Sequence, residues 1–180
     1  SWYASDVNHV FKIQSYEYDE INDTFYLYQQ GSAVLLDDGK ILTNAKAILN
    51  DSGTPNSYYE ICKSEHFTQS PVCFTSGKLL SYNKVNDLAL LQLEYTQWIW
   101  SGVVFSQKDL ELWWTVETYG FPENGGETIT FTQWKISWFT NGKYKIDANL
   151  DKWSSGWGAF DETGKLLWIT TSISVGFTTL

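Results

Sequence analysis

Short apolar runs separated by turn residues recur along the whole chain. The signals "DDGK" at 37–40, "DSGTPN" at 51–56, "PENGG" at 122–126, "TNGK" at 140–143 and "DETGK" at 161–165 cut it into segments of strand length. Turns at this density, between runs rich in aromatic and β-branched residues, predict an all-β sandwich or barrel. "SAVLLDDGKILTN" (32–44) reads as two strands around a tight Asp-Gly turn. "DLALLQLEY" (87–95) reads as a buried strand, "ETITFTQWKISWF" (127–139) alternates with period two, and "GAFDETGKLLWITTS" (158–172) reads as a second hairpin. Helix is expected only in "NAKAILND" (44–51), for one or two turns, because Gly53 and Pro55 stop it. With no repeat, linker or low-complexity segment, residues 1–180 read as one β domain of two barrel-like halves, about 1–100 and 101–180.

Composition narrows the functions this pattern can serve. A chain of 180 residues is long enough to bury roughly 70% of its unfolded surface in a core. Its formal charge is −9 and it contains no arginine, so a phosphate-binding face has little to work with and nucleic acid is not an expected partner. No apolar run approaches the roughly 18 residues of a membrane span. The chain opens at Ser1 without a basic and apolar leader, and reads as a soluble, processed or trimmed fragment.

Cys62 and Cys73 are separated by a stretch that permits a hairpin with the thiols facing each other. An even pair in a short chain suggests a disulfide and an oxidising compartment. Two buried free thiols are the alternative.

Four segments, in order, resemble the trypsin-like serine peptidases, specifically the bacterial Deg/HtrA branch. "GSAVLLDDGKILTNAKAI" (31–48) resembles that family's Gly-Ser-Gly run, turn and Leu-Thr-Asn-Ala-His, while "VNDLALLQLE" (85–94) resembles the strand that carries the triad aspartate. "VETYGFPENGGETITFTQWKISW" (116–138) resembles the Gly-Tyr-Pro segment, and "DANLDKWSSGWGAFDETGKLLWI" (147–169) resembles the Gly-Asn-Ser-Gly-Gly-Pro segment with its following hairpin. The match runs from about Gly31 to Thr171.

The resemblance implies a two-barrel, chymotrypsin/trypsin-like fold, trimmed at its C-terminus, with an active-site cleft between the halves. It implies Ser155 as nucleophile, Asp87 as the triad aspartate, and Lys46 at the histidine position. It further implies an oxyanion hole at Trp153, Ser154 and Ser155, a specificity pocket lined by Asn149, Thr170, Thr171 and Ser172, and no metal or organic cofactor. The partner implied is extended polypeptide, as substrate or ligand, in an extracytoplasmic setting. Oligomeric state is not implied.

Lys46 is wrong for the family's chemistry. The mechanism needs a base of pKa near 7 to take the serine proton, whereas lysine starts at about 10.4 and a neighbouring carboxylate favours its charged form. Serine–lysine dyads lower the lysine's pKa by burying it away from carboxylates. His9, in the N-terminal arm, and His66, in the polar loop between the cysteines, offer no replacement.

Tryptophan raises a second question. Trp113, Trp134, Trp138, Trp153, Trp157 and Trp168 fall where the family usually has glycine. A side chain forced to positive φ costs about 1–2 kcal/mol, and overpacking about 1–3 kcal/mol more. Three readings stay open: the rings fill gaps or lie on the surface, the fold has diverged into a binding module, or the codon UGA encodes glycine here. Weighing the product decides the last, since a mass matching all ten tryptophans removes it.

Overall fold

The computed structural model describes residues 7–96, 102–107, 111–112, 114–122, 128–140, 143–146, 156–170 and 177–178, with backbone alone at 7, 134, 137–140, 143–146 and 177–178. Its first half is a closed barrel of six strands: β1 (Val10–Asp19), β2 (Thr24–Leu35), β3 (Lys40–Thr43), β4 (Tyr58–Lys63), β5 (Val72–Asn83) and β6 (Leu88–Leu93), ordered β1-β2-β3-β6-β5-β4. Its second half is a six-stranded sheet of β7 (Thr115–Gly120), β8 (Thr130–Thr140), β9 (Lys143–Ile146), β10 (Gly158–Phe160), β11 (Leu166–Ile169) and β12 (Phe177–Thr178), ordered β11-β10-β7-β8-β9-β12. The two end strands of this sheet, β11 and β12, approach with Cα separations within 8 Å, so the sheet curls toward closure. This is the two-barrel, trypsin-like all-β architecture.

The run "AVLL" shows why the halves pack. Alternate side chains leave opposite faces of a strand, and here both faces are buried. Ala33 and Leu35 join Phe11, Ile13, Ile41, Ile61 and Leu91 inside the first barrel. Val34 and Leu36 instead join Val10 and Leu42 against Tyr119, Phe121, Phe160, Leu166 and Ile169 of the second sheet. The connecting segment is stitched to both halves: Val103 N–H donates to Leu35 O at 2.9 Å, and Ser106 N–H to Leu166 O at 2.7 Å.

At the expected "DDGK" turn, Gly39 takes φ +83 and the Lys40 ammonium lies 2.8 Å from Asp38. The expected helical stretch is a single 3-10 turn, Ala45–Ala47. The long β1–β2 hairpin, by contrast, turns at "DEINDT" without glycine or proline: Asp19 Oδ1 accepts from the N–H groups of Ile21 and Asn22, and Asp23 takes φ +50.

Cys62 and Cys73 are bonded to each other, as direct cross-strand partners on β4 and β5 beside a β-bulge. Their Cα atoms are 3.7 Å apart, closer than the usual range of about 4.4–6.8 Å. Free thiols are therefore not the state of this pair. The bond closes a loop of sequence separation 11, so the double change Cys62→Ser with Cys73→Ser is expected to lower stability by about 2–3 kcal/mol. Urea unfolding with and without reductant measures it, and reductant should shift only the parent chain.

Glu117 is a buried carboxyl on β7, 6% exposed, opposite Gln133 on β8. Burial raises its pKa, and donors at Gln133 Nε2 (3.4 Å) and Tyr119 Oη (3.5 Å) offset this in part. A carboxyl with a raised folded-state pKa contributes stability that is fully present below its ordinary value of 4.5 and lost as pH rises through the raised value. Glu117→Gln is thus expected to stabilise the fold at neutral pH, with the gain vanishing in acid. Denaturation midpoints across a pH series test this, and a gain independent of pH would contradict it.

Candidate active site

The 3-10 turn that carries Lys46 is anchored from both sides of the first barrel. Ser15 Oγ on β1 donates to Ala47 O at 2.6 Å, and Tyr59 Oη on β4 donates to Ile48 O at 3.1 Å. Residue 46 is thereby held at the rim, where β3 ends.

Asp87 enters from the start of β6 in a left-handed conformation, φ +52, which a non-glycine residue adopts only at a cost of about 1–2 kcal/mol. Two contacts hold it there. Asn44 Nδ2 donates to the Asp87 main-chain carbonyl at 2.9 Å, and Lys46 N–H donates to Asp87 Oδ1 at 2.9 Å. The Lys46 ammonium then lies 3.5 Å from Asp87 Oδ2, with 43% of the lysine side chain exposed against 22% for the aspartate. Burial raises the Asp87 pKa, while the Lys46 amide and ammonium oppose that shift.

The second half meets this rim through Gly156, the residue after Ser155. Gly156 has φ +89, and a Cβ there would stand 1.8 Å from Ser32 O and 2.8 Å from Thr43 Oγ1. Its backbone is therefore pressed onto β2 and β3, one residue before Asn44. Nearby, Phe121 N–H donates to Ser32 Oγ at 2.8 Å, which fastens the halves together at this point, while Thr43 Oγ1 donates to Ser32 O at 2.6 Å within the first barrel. Thr170 is buried just past β11, its N–H donating to Trp157 O at 2.9 Å and its carbonyl accepting from Gly156 N–H at 3.4 Å.

The structure thus brings Lys46 and Asp87 together and sets Gly156 and Thr170 beside each other. Ser155, Trp153, Ser154, Asn149, Thr171 and Ser172 lie outside the described residues. His66 is exposed in the β4–β5 loop, and His9 is partly buried just ahead of β1. Sequence reasoning assigned no role to Asn44, Ser32 or Thr43, although all three lie in the quoted "GSAVLLDDGKILTNAKAI" segment. Small polar residues among apolar ones, as in "GSA" and "LTN", were the available signal.

Among the questioned tryptophans, Trp113 and Trp153 lie outside the described residues, and the side chains of Trp134 and Trp138 are not described. Trp157 and Trp168 are core residues with no exposed surface. The Trp157 ring fits because its neighbour Gly120 has no side chain, a Cβ there lying 2.3 Å from the ring, and its Nε1 donates to Phe121 O at 3.2 Å. At these two positions the rings fill the interior.

No protein-family model matches the chain, and no curated protein sequence matches it. Solved structures do. The fold is the chymotrypsin/trypsin-like all-β fold, and two solved structures share it. One is the Rv3671c protease from M. tuberculosis in its active form, 18% identical with a TM-score of 0.72, the match covering 98% of this chain and 77% of that one. The other is Deg5, 19% identical with a TM-score of 0.75, covering 99% of this chain and 86% of that one. At such identities the likeness establishes the fold.

Proposed function

We propose that this chain is a serine-endopeptidase-type domain whose peptide-bond chemistry, through Ser155 with Asp87, is weak or absent because Lys46 stands where the base belongs. The observation that carries this is the Lys46–Asp87 ion pair at 3.5 Å. In the family mechanism the aspartate orients a neutral imidazole that accepts the serine proton. An ammonium held by that carboxylate has no lone pair with which to do so. The surroundings also differ from those that make lysine a base in serine–lysine dyads, since this side chain is 43% exposed and faces a carboxylate.

Trp153, Ser154 and Ser155 are assigned to the oxyanion hole, and Asn149, Thr170, Thr171 and Ser172 to the pocket for the substrate side chain. The contact of Gly156 with Ser32 and Thr43 supports a Ser155 close to the Lys46 rim. No carboxylate is among the assigned pocket residues, so a preference for basic side chains has no counter-charge behind it.

A second reading is a pseudoprotease that grips extended polypeptide as an added strand without cutting it. The ion pair favours it, because it removes the proton acceptor while the barrel that carries Lys46 and Asp87 stays closed. An extracytoplasmic setting is supported by the Cys62–Cys73 disulfide. The test is hydrolysis of an unfolded polypeptide by the unmodified chain and by Ser155→Ala. Little or no Ser155-dependent cleavage is expected, and robust cleavage that Ser155→Ala abolishes would overturn the reading of Lys46.

A further inference from the structure

The outer face of the first barrel carries an aromatic surface that the candidate active site does not use. Along β1, Phe11, Ile13 and Ser15 are buried toward the interior, so Tyr16 and Tyr18 at alternate positions face outward. Tyr18 faces Phe25 and Tyr16 faces Leu27 on β2, while Tyr16 also faces Tyr58 on β4. The rings form one chain, with centroids 5.3 Å apart for Tyr18–Phe25, 6.0 Å for Phe25–Tyr58 and 5.9 Å for Tyr16–Tyr58. Phe25 is 53% exposed, Leu27 42%, Tyr18 41% and Tyr58 39%. Scattered exposed apolar residues are ordinary, but a contiguous patch rimmed by polar groups marks an interaction site.

Strand pairing adds a second property. β1 takes one edge of β2 from Thr24 onward, while β3 pairs with β2 only at Val34 and Leu35. Among the described residues, no strand pairs with the other edge of β2 over Thr24–Leu27. The stretch "TFYLYQQ" (24–30) holds no charge and no proline, the devices that normally blunt an exposed edge.

Charge selects the occupant. The β1–β2 hairpin, residues 10–35, carries Glu17, Asp19, Glu20 and Asp23 against the single Lys12. Two carboxylates touch the rings directly: Asp23 accepts from Tyr18 Oη, and Glu60 accepts from Tyr16 Oη at 3.0 Å. A second copy of this chain, with formal charge −9, would set these hairpin carboxylates against their own kind. A cationic partner meets no such penalty.

We propose that the outer face of β1, β2 and β4 docks an extended, cationic polypeptide segment. The segment adds as a strand to the free edge of β2 over Thr24–Leu27. Its lysine or arginine side chains lie over the ring of Phe25 on the adjacent strand and reach Asp23 at the head of the hairpin. This surface is separate from the site of the proposed chemistry and does not depend on it.

The test is fluorescence anisotropy with a labelled synthetic peptide of alternating lysine and valine, against one of alternating glutamate and valine. The proteins are the full chain, the double variant Phe25→Ser with Leu27→Ser, and Asp23→Asn, each checked for its fold by circular dichroism. The lysine peptide is expected to bind, more weakly as salt rises, and the glutamate peptide is not. The double variant is expected to weaken binding about tenfold or more, and Asp23→Asn, which keeps the side chain's shape and tolerates the left-handed φ of +50, about threefold. Equal affinity in all three proteins, equal binding of both peptides, or no binding would overturn the proposal. A concentration-dependent dimer of the parent chain that the double variant abolishes would also overturn it, assigning the face to self-association.

Discussion

Lys46→His is expected to raise Ser155-dependent peptide hydrolysis by orders of magnitude over the unmodified chain. Loss of the base in a serine-peptidase triad costs on the order of a millionfold in turnover, and this substitution returns it. The geometry favours the exchange because Asp87 Oδ1 is held by the main-chain N–H of residue 46 at 2.9 Å, a bond that any side chain there preserves. Asp87 Oδ2, now 3.5 Å from the ammonium, is left to orient the imidazole. The gain should appear as pH rises through about 6.5, where the imidazole loses its proton and becomes a base.

Trp153 limits how much of this gain is realised. It stands at an oxyanion donor position of the resembled motif, and one lost donor costs about a hundred- to a thousandfold. Lys46→His with Trp153→Gly is therefore the discriminating variant, expected to exceed Lys46→His alone by that factor. Initial rates on an unfolded polypeptide, with Ser155→Ala as background, measure both steps. An inert double variant that still binds the polypeptide would favour the pseudoprotease.

Gly156→Ala is expected to lower stability by about 2–5 kcal/mol and to disturb the candidate site with it. Two costs add: about 1–2 kcal/mol for a Cβ in the left-handed region, and about 1–3 kcal/mol for overpacking. The second arises because the new Cβ would lie 1.8 Å from the Ser32 carbonyl oxygen, a backbone atom of β2 that cannot swing aside. Gly39→Ala separates the two. Gly39 has a similar φ of +83 but no atom within 4 Å of its Cβ position, so only the conformational cost of about 1–2 kcal/mol is expected there. Urea midpoints of both variants give the difference directly. Equal losses would show that the turn after Ser155 does not rest on the first barrel.

How much of this was legible in the sequence depended on how local the cause was. The hairpin at "DDGK", the period-two strand β8, the β10–β11 hairpin around "DETGK" and the single helical turn before Gly53 follow from turn chemistry and side-chain alternation, which neighbouring residues specify. The motif segments likewise point to the two-barrel fold from the sequence alone. The β1–β2 hairpin was less legible, because "DEINDT" offers Asp19, Asn22 and Asp23 but neither glycine nor proline, and the pairing of two long strands sets its register.

The site divides in the same way. Lysine at position 46 and aspartate at position 87 can be read in order along the chain, together with the misfit between lysine and a base. Their approach to 3.5 Å, the left-handed Asp87 and the hold of Asn44 on its carbonyl come from closing the barrel, which brings residues 41 and 43 positions apart into contact. The same holds for the two buried tryptophans. Their positions are plain in the sequence, but whether a ring is tolerated depends on what lies opposite, and at Trp157 that is Gly120, on a strand distant in sequence. Sequence by itself determined the local elements and the identity of the chemical groups; tertiary packing decided which groups meet, because burial and contact across the barrels are properties of the closed fold.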